Sequence, residues 1–315
     1  MASVPSGEQF EIALGEQRAV VVEVGGGIRE YTVAERPVLH PYGLHDMCDG
    51  AHGTPLIPWP NRLEDGSYEF DGERHELALS EPAKRNAIHG LLRWRPWACL
   101  EREPNRVVMG TRLHPSPGYP FTLDVSVEYA LRQDGLTVTT SALNLGERAC
   151  PFGTGQHPYF SPGEGTVDEC ALELPAATRI LTDSERQLPV GREPVEGSDY
   201  DYRGGRSLDG AIVDSAFADL IREPVSGRAV AKLARPDGSR LEIWVDEAYP
   251  FLEVFTADTL APTRARRGLA IEPMSCAPNA FRSGEGLVRL EAGERWRGSW
   301  GVGVVEPGRS ENTIA

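Results

Sequence analysis

Leu123-Asp124-Val125-Ser126-Val127-Glu128-Tyr129-Ala130-Leu131-Arg132-Gln133-Asp134-Gly135-Leu136-Thr137-Val138-Thr139-Thr140 is the passage on which the fold turns. Leu123, Val125, Val127, Tyr129 and Leu131 alternate with mostly polar neighbours, and Leu136, Val138 and Thr140 resume the same beat. A side-chain period of two belongs to a strand with one face in a core and the other toward solvent. Asp134-Gly135 between the two runs supplies the positive φ angles of a tight turn. The passage therefore predicts a β-hairpin turning at Asp-Gly.

The signature recurs on both sides. Tyr68-Glu69-Phe70-Asp71-Gly72-Glu73-Arg74-His75-Glu76-Leu77 places Asp-Gly between two alternating segments. Residues 233–245 repeat the pattern around Pro236-Asp237-Gly238. Further strands are predicted at 19–24, 28–32, 107–113, 251–256, 269–271, 287–290 and 296–305. Thirty-four glycines and 25 prolines punctuate the chain at short intervals. Amphipathic helical segments longer than about three turns are hard to find, which argues against crossover helices on a parallel sheet. No period of 20–50 residues argues for a propeller or solenoid. The expectation is an all-β chain, a large antiparallel β-sandwich, in one domain over residues 1–315 with its core at about 10–305. The polar, Gly-rich segment 184–210 reads as a long loop, and residues 1–9 and 308–315 as frayed ends.

Acidic residues number 47 against 32 basic, a net charge of −15, and no Lys/Arg run exceeds two. That balance opposes nucleic acid and anionic membranes as partners. Five cysteines without a CxxC read as reduced thiols, and the first 20 residues lack the pattern of a secretory signal. No stretch approaches 18 apolar residues, so no membrane span and a cytoplasmic location are expected. A Walker A loop, a dinucleotide fingerprint and a GxSxG elbow are all missing.

Seven histidines supply the groups that titrate nearest neutral pH. His75 in its hairpin and His114 in a Pro/Ser/Gly loop read as surface residues. His40, His45 and His52 lie near Asp46, Cys48 and Asp49, but their spacing fits no standard zinc pattern, and no metal is expected. His89 precedes Gly90, which permits close approach of backbone or ligand. His157 follows Gly153-Thr154-Gly155-Gln156 and precedes Pro158-Tyr159-Phe160, an imidazole beside an aromatic wall. Either histidine could be structural or catalytic on this reading. Glu272 finishes the apolar run Gly268-Leu269-Ala270-Ile271. A carboxylate there is partly desolvated and thereby made a better base near neutrality. The bland alternative is a rim carboxylate paired with Arg266 or Arg267. Asp214 is a second acid among apolar neighbours, and Asn61-Arg62 after Pro58-Trp59-Pro60 offers donors beside an aromatic surface.

Five blocks in order make the chain recognisable. They are Pro58-Trp59-Pro60-Asn61-Arg62-Leu63 with Gly66-Ser67-Tyr68, Asn86-Ala87-Ile88-His89-Gly90-Leu91, Gln156-His157-Pro158-Tyr159-Phe160, Phe251-Leu252-Glu253-Val254-Phe255-Thr256, and Ile271-Glu272-Pro273-Met274-Ser275-Cys276-Ala277-Pro278-Asn279-Ala280-Phe281. The set resembles the aldose 1-epimerase (galactose mutarotase) family, in its bacterial branch with sulfoquinovose mutarotase-like proteins. The resemblance implies a galactose mutarotase-like β-sandwich with a monosaccharide in an open cleft. It implies Glu272 as general base and His157 as general acid, flanking the ring from opposite sides. It implies sugar contacts from His89, Arg62 and Asp214, with Asn61 and Tyr159 as adjacent candidates. Glu253 stands where many relatives carry Gln, and a carboxylate there donates only when protonated. Anomer exchange moves protons but no electrons, so neither cofactor nor metal is needed.

Three rivals remain at the level of sequence. One is a glycoside hydrolase pairing Glu272 with Asp214 or Glu253, which needs carboxyl groups about 5–5.5 or 6.5–9.5 Å apart. Another is a non-catalytic carbohydrate-binding protein. The third is an epimerase for an anionic sugar, hexose 6-phosphate or sulfoquinovose, using Arg264, Arg266 or Arg267. The anionic sugar ranks behind a neutral one, because residues 266 and 267 would alternate in a strand.

Overall fold

The computed structural model describes residues 4–307. Among these residues almost all regular structure is antiparallel β, and the one α-helix, Ala280–Ser283, has four residues. No helix among them is long and apolar enough to cross a membrane.

Two large antiparallel sheets dominate. In the 12-stranded sheet the order runs Gln9–Leu14, Gln17–Val22, Ile28–Val33, Arg36–Leu39, Tyr159–Phe160, Leu269–Met274, Phe251–Phe255, Asp214–Leu220, Ala176–Thr182 and Pro189–Pro194; Gly155–Gln156 joins Leu269–Met274 to Pro55–Leu56. In the nine-stranded sheet it runs Ala98–Glu103, Arg106–Leu113, Leu123–Arg132, Gly135–Asn144, Arg295–Val305, Arg240–Val245, Ala229–Ala234, Ala171–Glu173 and Arg206–Ser207. Ile12, Val21, Leu252 and Ile271 of the first sheet share one apolar cluster with Val125, Tyr129, Val138 and Trp300 of the second. The expected large antiparallel β-sandwich is the architecture found.

The decisive hairpin forms with one change. Leu123–Arg132 pairs with Gly135–Asn144 through Arg132↔Gly135, so the two turn residues are Gln133 and Asp134. Gly135 already belongs to the strand, at φ 128°, and a Cβ there would stand 2.1 Å from the Val302 carbonyl. Glycine is thus required by the close approach of Arg295–Val305 rather than by the turn itself. At Asp71-Gly72 the expectation holds as stated, with φ 52° and 76° between strands Ser67–Phe70 and Glu73–Glu76.

Other expectations need correction. Segment 184–210 is not a continuous loop, because Pro189–Pro194 adds an edge strand beside Ala176–Thr182 and Arg206–Ser207 pairs with Ala171–Glu173. The frayed ends fall partly on residues 1–3 and 308–315, outside the described residues. Within them the N-terminus is tied down: Ser6 is buried, its carbonyl accepts from Val24, and Gln9 opens the first strand. His75 is buried between the rings of Tyr68 and Phe121, not on the surface. His114 is exposed as expected. The segment before Leu269 is a series of turns, with Arg266 at φ 57°, so residues 266 and 267 do not alternate in a strand.

A buried polar knot welds the sheets together next to His157. Trp300 donates to the Gln156 side chain at 3.0 Å, and Gln156 donates to Tyr129 at 3.0 Å and to the Gly53 carbonyl at 3.1 Å. Tyr129 in turn donates to the Gly26 carbonyl at 2.8 Å. Every member is satisfied, and such networks specify one packing. The residue after Gln156 is therefore held from both layers.

Candidate active site

Register and period two determine which side chains share the face opposite the main core. Glu253 in Phe251–Phe255 stands opposite Glu272 in Leu269–Met274, and opposite Ala216 in Asp214–Leu220. Their sequence neighbours Leu252, Val254, Ile271 and Phe217 enter the main core. The opposite face carries Ala216, Ala218, Phe251 and Met274, which pack with Ile180 and Ala277 in a separate cluster. Asp214, Glu253 and Glu272 share that second face. They form a diagonal row of three carboxyls across three adjacent strands.

Glu272 does not end its strand; the strand runs on through Pro273 to Met274. Proline is tolerated because of which way its nitrogen points. Ser275 N–H donates to Thr154 on the side away from Phe251–Phe255. The missing N–H of Pro273, two residues earlier, faces the same side. There the partner strand is interrupted between Gly155–Gln156 and Tyr159–Phe160, and His157-Pro158 loops out toward Glu272.

His157 Nε2 lies 3.1 Å from Glu272 Oε1, both side chains almost wholly buried. The two are immediate neighbours on one wall, not groups on opposite sides of a ring-sized gap. His157 Nδ1 and Glu272 Oε2 are buried without a hydrogen-bond partner among the described residues. The imidazole stacks on Tyr159 at 4.7 Å and 17°, and the other face of Tyr159 stacks on His52 at 4.3 Å and 10°. Tyr159 donates its hydroxyl to the Gly50 carbonyl at 2.9 Å. His52 meets the His40 carbonyl through Nε2, and Arg264 donates to its Nδ1 at 2.7 Å. Burial pushes His52 down to about 4, so it stands as a neutral buttress behind Tyr159.

Gly53 fixes the main chain here. Its N–H donates to the His157 carbonyl at 2.8 Å, while its carbonyl accepts from Ile28. It adopts φ +69°, and a Cβ would stand 1.9 Å from the Ile28 carbonyl oxygen. Gly53→Ala is expected to cost about 3 kcal/mol or more, from positive φ plus a backbone clash. Urea unfolding monitored by tryptophan fluorescence checks this.

The remaining expected residues arrive from one loop pair. Arg62–Glu64 pairs with Asn86–Ile88, and His89 N–H donates to the Asn61 carbonyl at 3.0 Å. Asn61 and His89 adopt φ 52° and 61°, left-handed conformations that are costly for a histidine and held by this lock. Asn61 donates to Glu253 Oε2 at 3.2 Å. The His89 and His157 rings meet edge-on at 5.5 Å. Arg62 is forked onto Glu81, at 2.9 and 3.1 Å, so its guanidinium is already bidentate before any sugar arrives. Gln187 donates to Asp214.

Burial sets the electrostatics. It pushes the Glu272 carboxyl well above its ordinary range, reinforced by Asp214 and opposed by Arg62 and Arg93. It pushes His157 well below the usual imidazole value, with His52 and Arg93 adding to the effect, and His89 likewise, with Arg93 first among its neighbours. Both charged forms of the His157–Glu272 pair are thus penalised.

All eight residues singled out in the sequence lie along this face or the loop pair beside it. The rim pairing of Glu272 with Arg266 or Arg267 does not occur. Arg266 is forked to Asp168 and bound to Asp258, and Arg267 donates to the Gly165 carbonyl. His40 and His52 come within 5.5 Å, while His45 is exposed; among the described residues no three His, Cys, Asp or Glu gather as a metal site. Sequence reasoning missed Arg93, Glu81 and Gln187, and weighed His52 only as a metal ligand rather than as the support behind Tyr159. Arg93, four residues after His89, was open to discovery; Gln187 sits in the presumed loop and carried no signal.

Comparison with known proteins gives a consistent answer. The family model for aldose 1-epimerase matches residues 8–302. The Escherichia coli K12 protein YihR is 34% identical over 300 residues, covering 93% of this chain and 92% of its own length. Maltose epimerase of Levilactobacillus brevis is 23% identical over 309 residues, covering 88% of each. Among solved structures, the GalM/aldose epimerase homologue from C. elegans superposes with TM-score 0.84 at 18% identity, over 96% of this chain and 99% of that one. Galactose 1-epimerase from Lactobacillus acidophilus NCFM gives TM-score 0.78 at 16% identity, over 93% and 92%. The class is thereby defined as an isomerase acting on sugars, an aldose mutarotase. The chain belongs to the aldose 1-epimerase family.

Proposed function

We propose that Glu272 and His157 are the base and acid of anomer exchange on a monosaccharide. The observation that carries this reading is their 3.1 Å contact on a buried wall. The anomeric hydroxyl and the ring oxygen are bonded to the same carbon, so two groups side by side can serve both. Glu272 takes the hydroxyl proton while protonated His157 gives one to the ring oxygen. The ring opens to an aldehyde, the C1–C2 bond rotates, and closure on the other carbonyl face returns both protons. The reaction moves the pair between Glu⁻/HisH⁺ and GluH/His at constant net charge. Burial raises the carboxyl and lowers the imidazole, which brings these two states closer in energy than they are in water. His89, Asn61, Arg62, Asp214 and Glu253 bind and orient the sugar, and Tyr159, engaged on both faces and at its hydroxyl, positions His157. A glycoside hydrolase would work with two carboxyls and no imidazole, and the contact of His157 with Glu272 favours anomer exchange. Five unpaired thiols, four of them buried, favour the cytoplasm as the site of reaction.

Arg93 favours an anionic sugar as a second reading. Its guanidinium is largely buried, senses Glu272 and Tyr159, and has neither a carboxylate nor a hydrogen-bond partner among the described residues. It lies over the Trp94 ring at 5.5 Å. Arg264, Arg266 and Arg267 are all engaged elsewhere. A sulfonate, phosphate or carboxylate would satisfy Arg93 with charge-assisted hydrogen bonds.

Saturation-transfer NMR on glucose, galactose, glucose 6-phosphate and sulfoquinovose tests both readings. Enzyme-dependent exchange on at least one aldose is expected. Arg93→Met should lower the anionic-to-neutral ratio of kcat/KM about 10- to 100-fold, the equivalent of one charge-assisted hydrogen bond. An unchanged ratio removes the second reading and leaves the first.

A further inference from the structure

We propose that Glu253 works as a neutral carboxylic acid, donating one hydrogen bond and accepting another in the sugar cleft. The sugar contact rests on the reading above; the protonation does not. Three geometric facts carry it.

First, Glu253 is 4% exposed and stands in register with Glu272, their side chains on one face of adjacent strands. Like charges directly opposite on a sheet repel, and burial weakens the screening between them. Second, Asp214 lies diagonally across the neighbouring strand on the same face, a third carboxyl beside Glu253. Third, the surrounding charges do not balance three carboxylates. Arg62 is forked onto Glu81, and Arg93 makes no ion pair with any of the three among the described residues.

The groups facing Glu253 are Asp214 and Glu272 on the two flanking strands, with Asn61 and Arg62 from the loop above. Asn61 donates to Oε2, so that oxygen accepts and the proton belongs on Oε1. Burial, Asp214 and Glu272 all raise this carboxyl, and Arg62 alone opposes them. A neutral carboxyl offers the donor–acceptor pair of an amide. It can bind one sugar hydroxyl as acceptor and another as donor, and it spares Glu272 a second negative neighbour.

Stability follows with a definite sign. A carboxyl raised in the folded state holds a proton that the unfolded chain has lost above about pH 4.3. Folding stability must therefore fall as pH rises from there to the folded-state value. Glu253→Gln, isosteric and permanently neutral, escapes that loss.

The test uses the full-length protein labelled with ¹³C at glutamate side-chain carboxyls. One resonance, assigned by its disappearance in Glu253→Gln, should stay at the protonated position at pH 7. Urea unfolding of the wild type and Glu253→Gln from pH 5 to 8 should show the variant gaining relative stability by up to tenfold in the folding constant per pH unit. With any aldose that exchanges, KM should rise with pH in the wild type and lose that dependence in Glu253→Gln. A resonance already ionised at pH 7, or a stability difference that does not grow with pH, overturns the proposal. If Glu253→Gln fails to fold, the resonance is assigned with Glu253→Asp and the wild-type titration decides alone. Absence of mutarotase activity would defeat the reading of the site but leave the titration and unfolding results intact.

Discussion

Glu272→Gln is expected to lose anomer exchange by about 10²–10⁴-fold while still binding the sugar. The amide fills the same space between Glu253 and His157, so the strand and the row of cleft residues persist. What it lacks is a basic oxygen. The anomeric hydroxyl then loses its proton only to water, and the contribution of one positioned base disappears. Polarimetry of a freshly dissolved single anomer measures the first effect, and equilibrium binding followed by NMR line broadening measures the second. A loss of affinity equal to the loss of rate would instead mark Glu272 as a binding residue.

His157→Gln is expected to cost a similar factor, and the double variant little more than either single one. The two groups pass protons to and from the same acetal carbon as a unit, and residues that act as a unit are non-additive. The wild-type pH profile should be a broad plateau. Activity requires one proton on the pair. At the acid end it fails when His157 is protonated while Glu272 keeps its own proton, and burial moves that limb below the usual imidazole value. At the alkaline end it fails when the last proton leaves, and burial of Glu272 moves that limb above the usual carboxylate range. The limbs belong to the pair rather than to either residue. Strictly additive losses, or a narrow profile centred near pH 5, would show that the two groups act separately.

Much of this site could be seen in the sequence, for identifiable reasons. The alternation around Leu123–Arg132 and Gly135–Asn144 announced antiparallel strands because one face of each is buried. Glu272 stood out because a carboxylate after Leu269-Ala270-Ile271 has little access to water wherever the strand ends. The strand's continuation through Pro273 was hidden, since proline normally stops a ladder, and only the gap opened by His157-Pro158 makes it tolerable. The side-by-side placement of acid and base was hidden as well, because it depends on Gly155–Gln156 and Tyr159–Phe160 pairing with the same strand from either side of that gap. Partnerships made over long sequence distances carried no local signal. Arg62 with Glu81, Asn61 with Glu253, and Gln187 with Asp214 are of this kind. Arg93 shows the converse. Its neighbourhood was in plain view beside His89, but its lack of a counter-charge exists only in three dimensions.

Saturation transfer between the two anomeric signals of each aldose in the panel, recorded at neutral pH with wild type and Glu272→Gln at equal concentration, reaches the central claim most directly. Transfer should rise in proportion to wild-type enzyme for at least one sugar and be nearly silent for the variant on that same sugar. Transfer by the variant at the wild-type rate, or none by the wild type on any sugar, would contradict it.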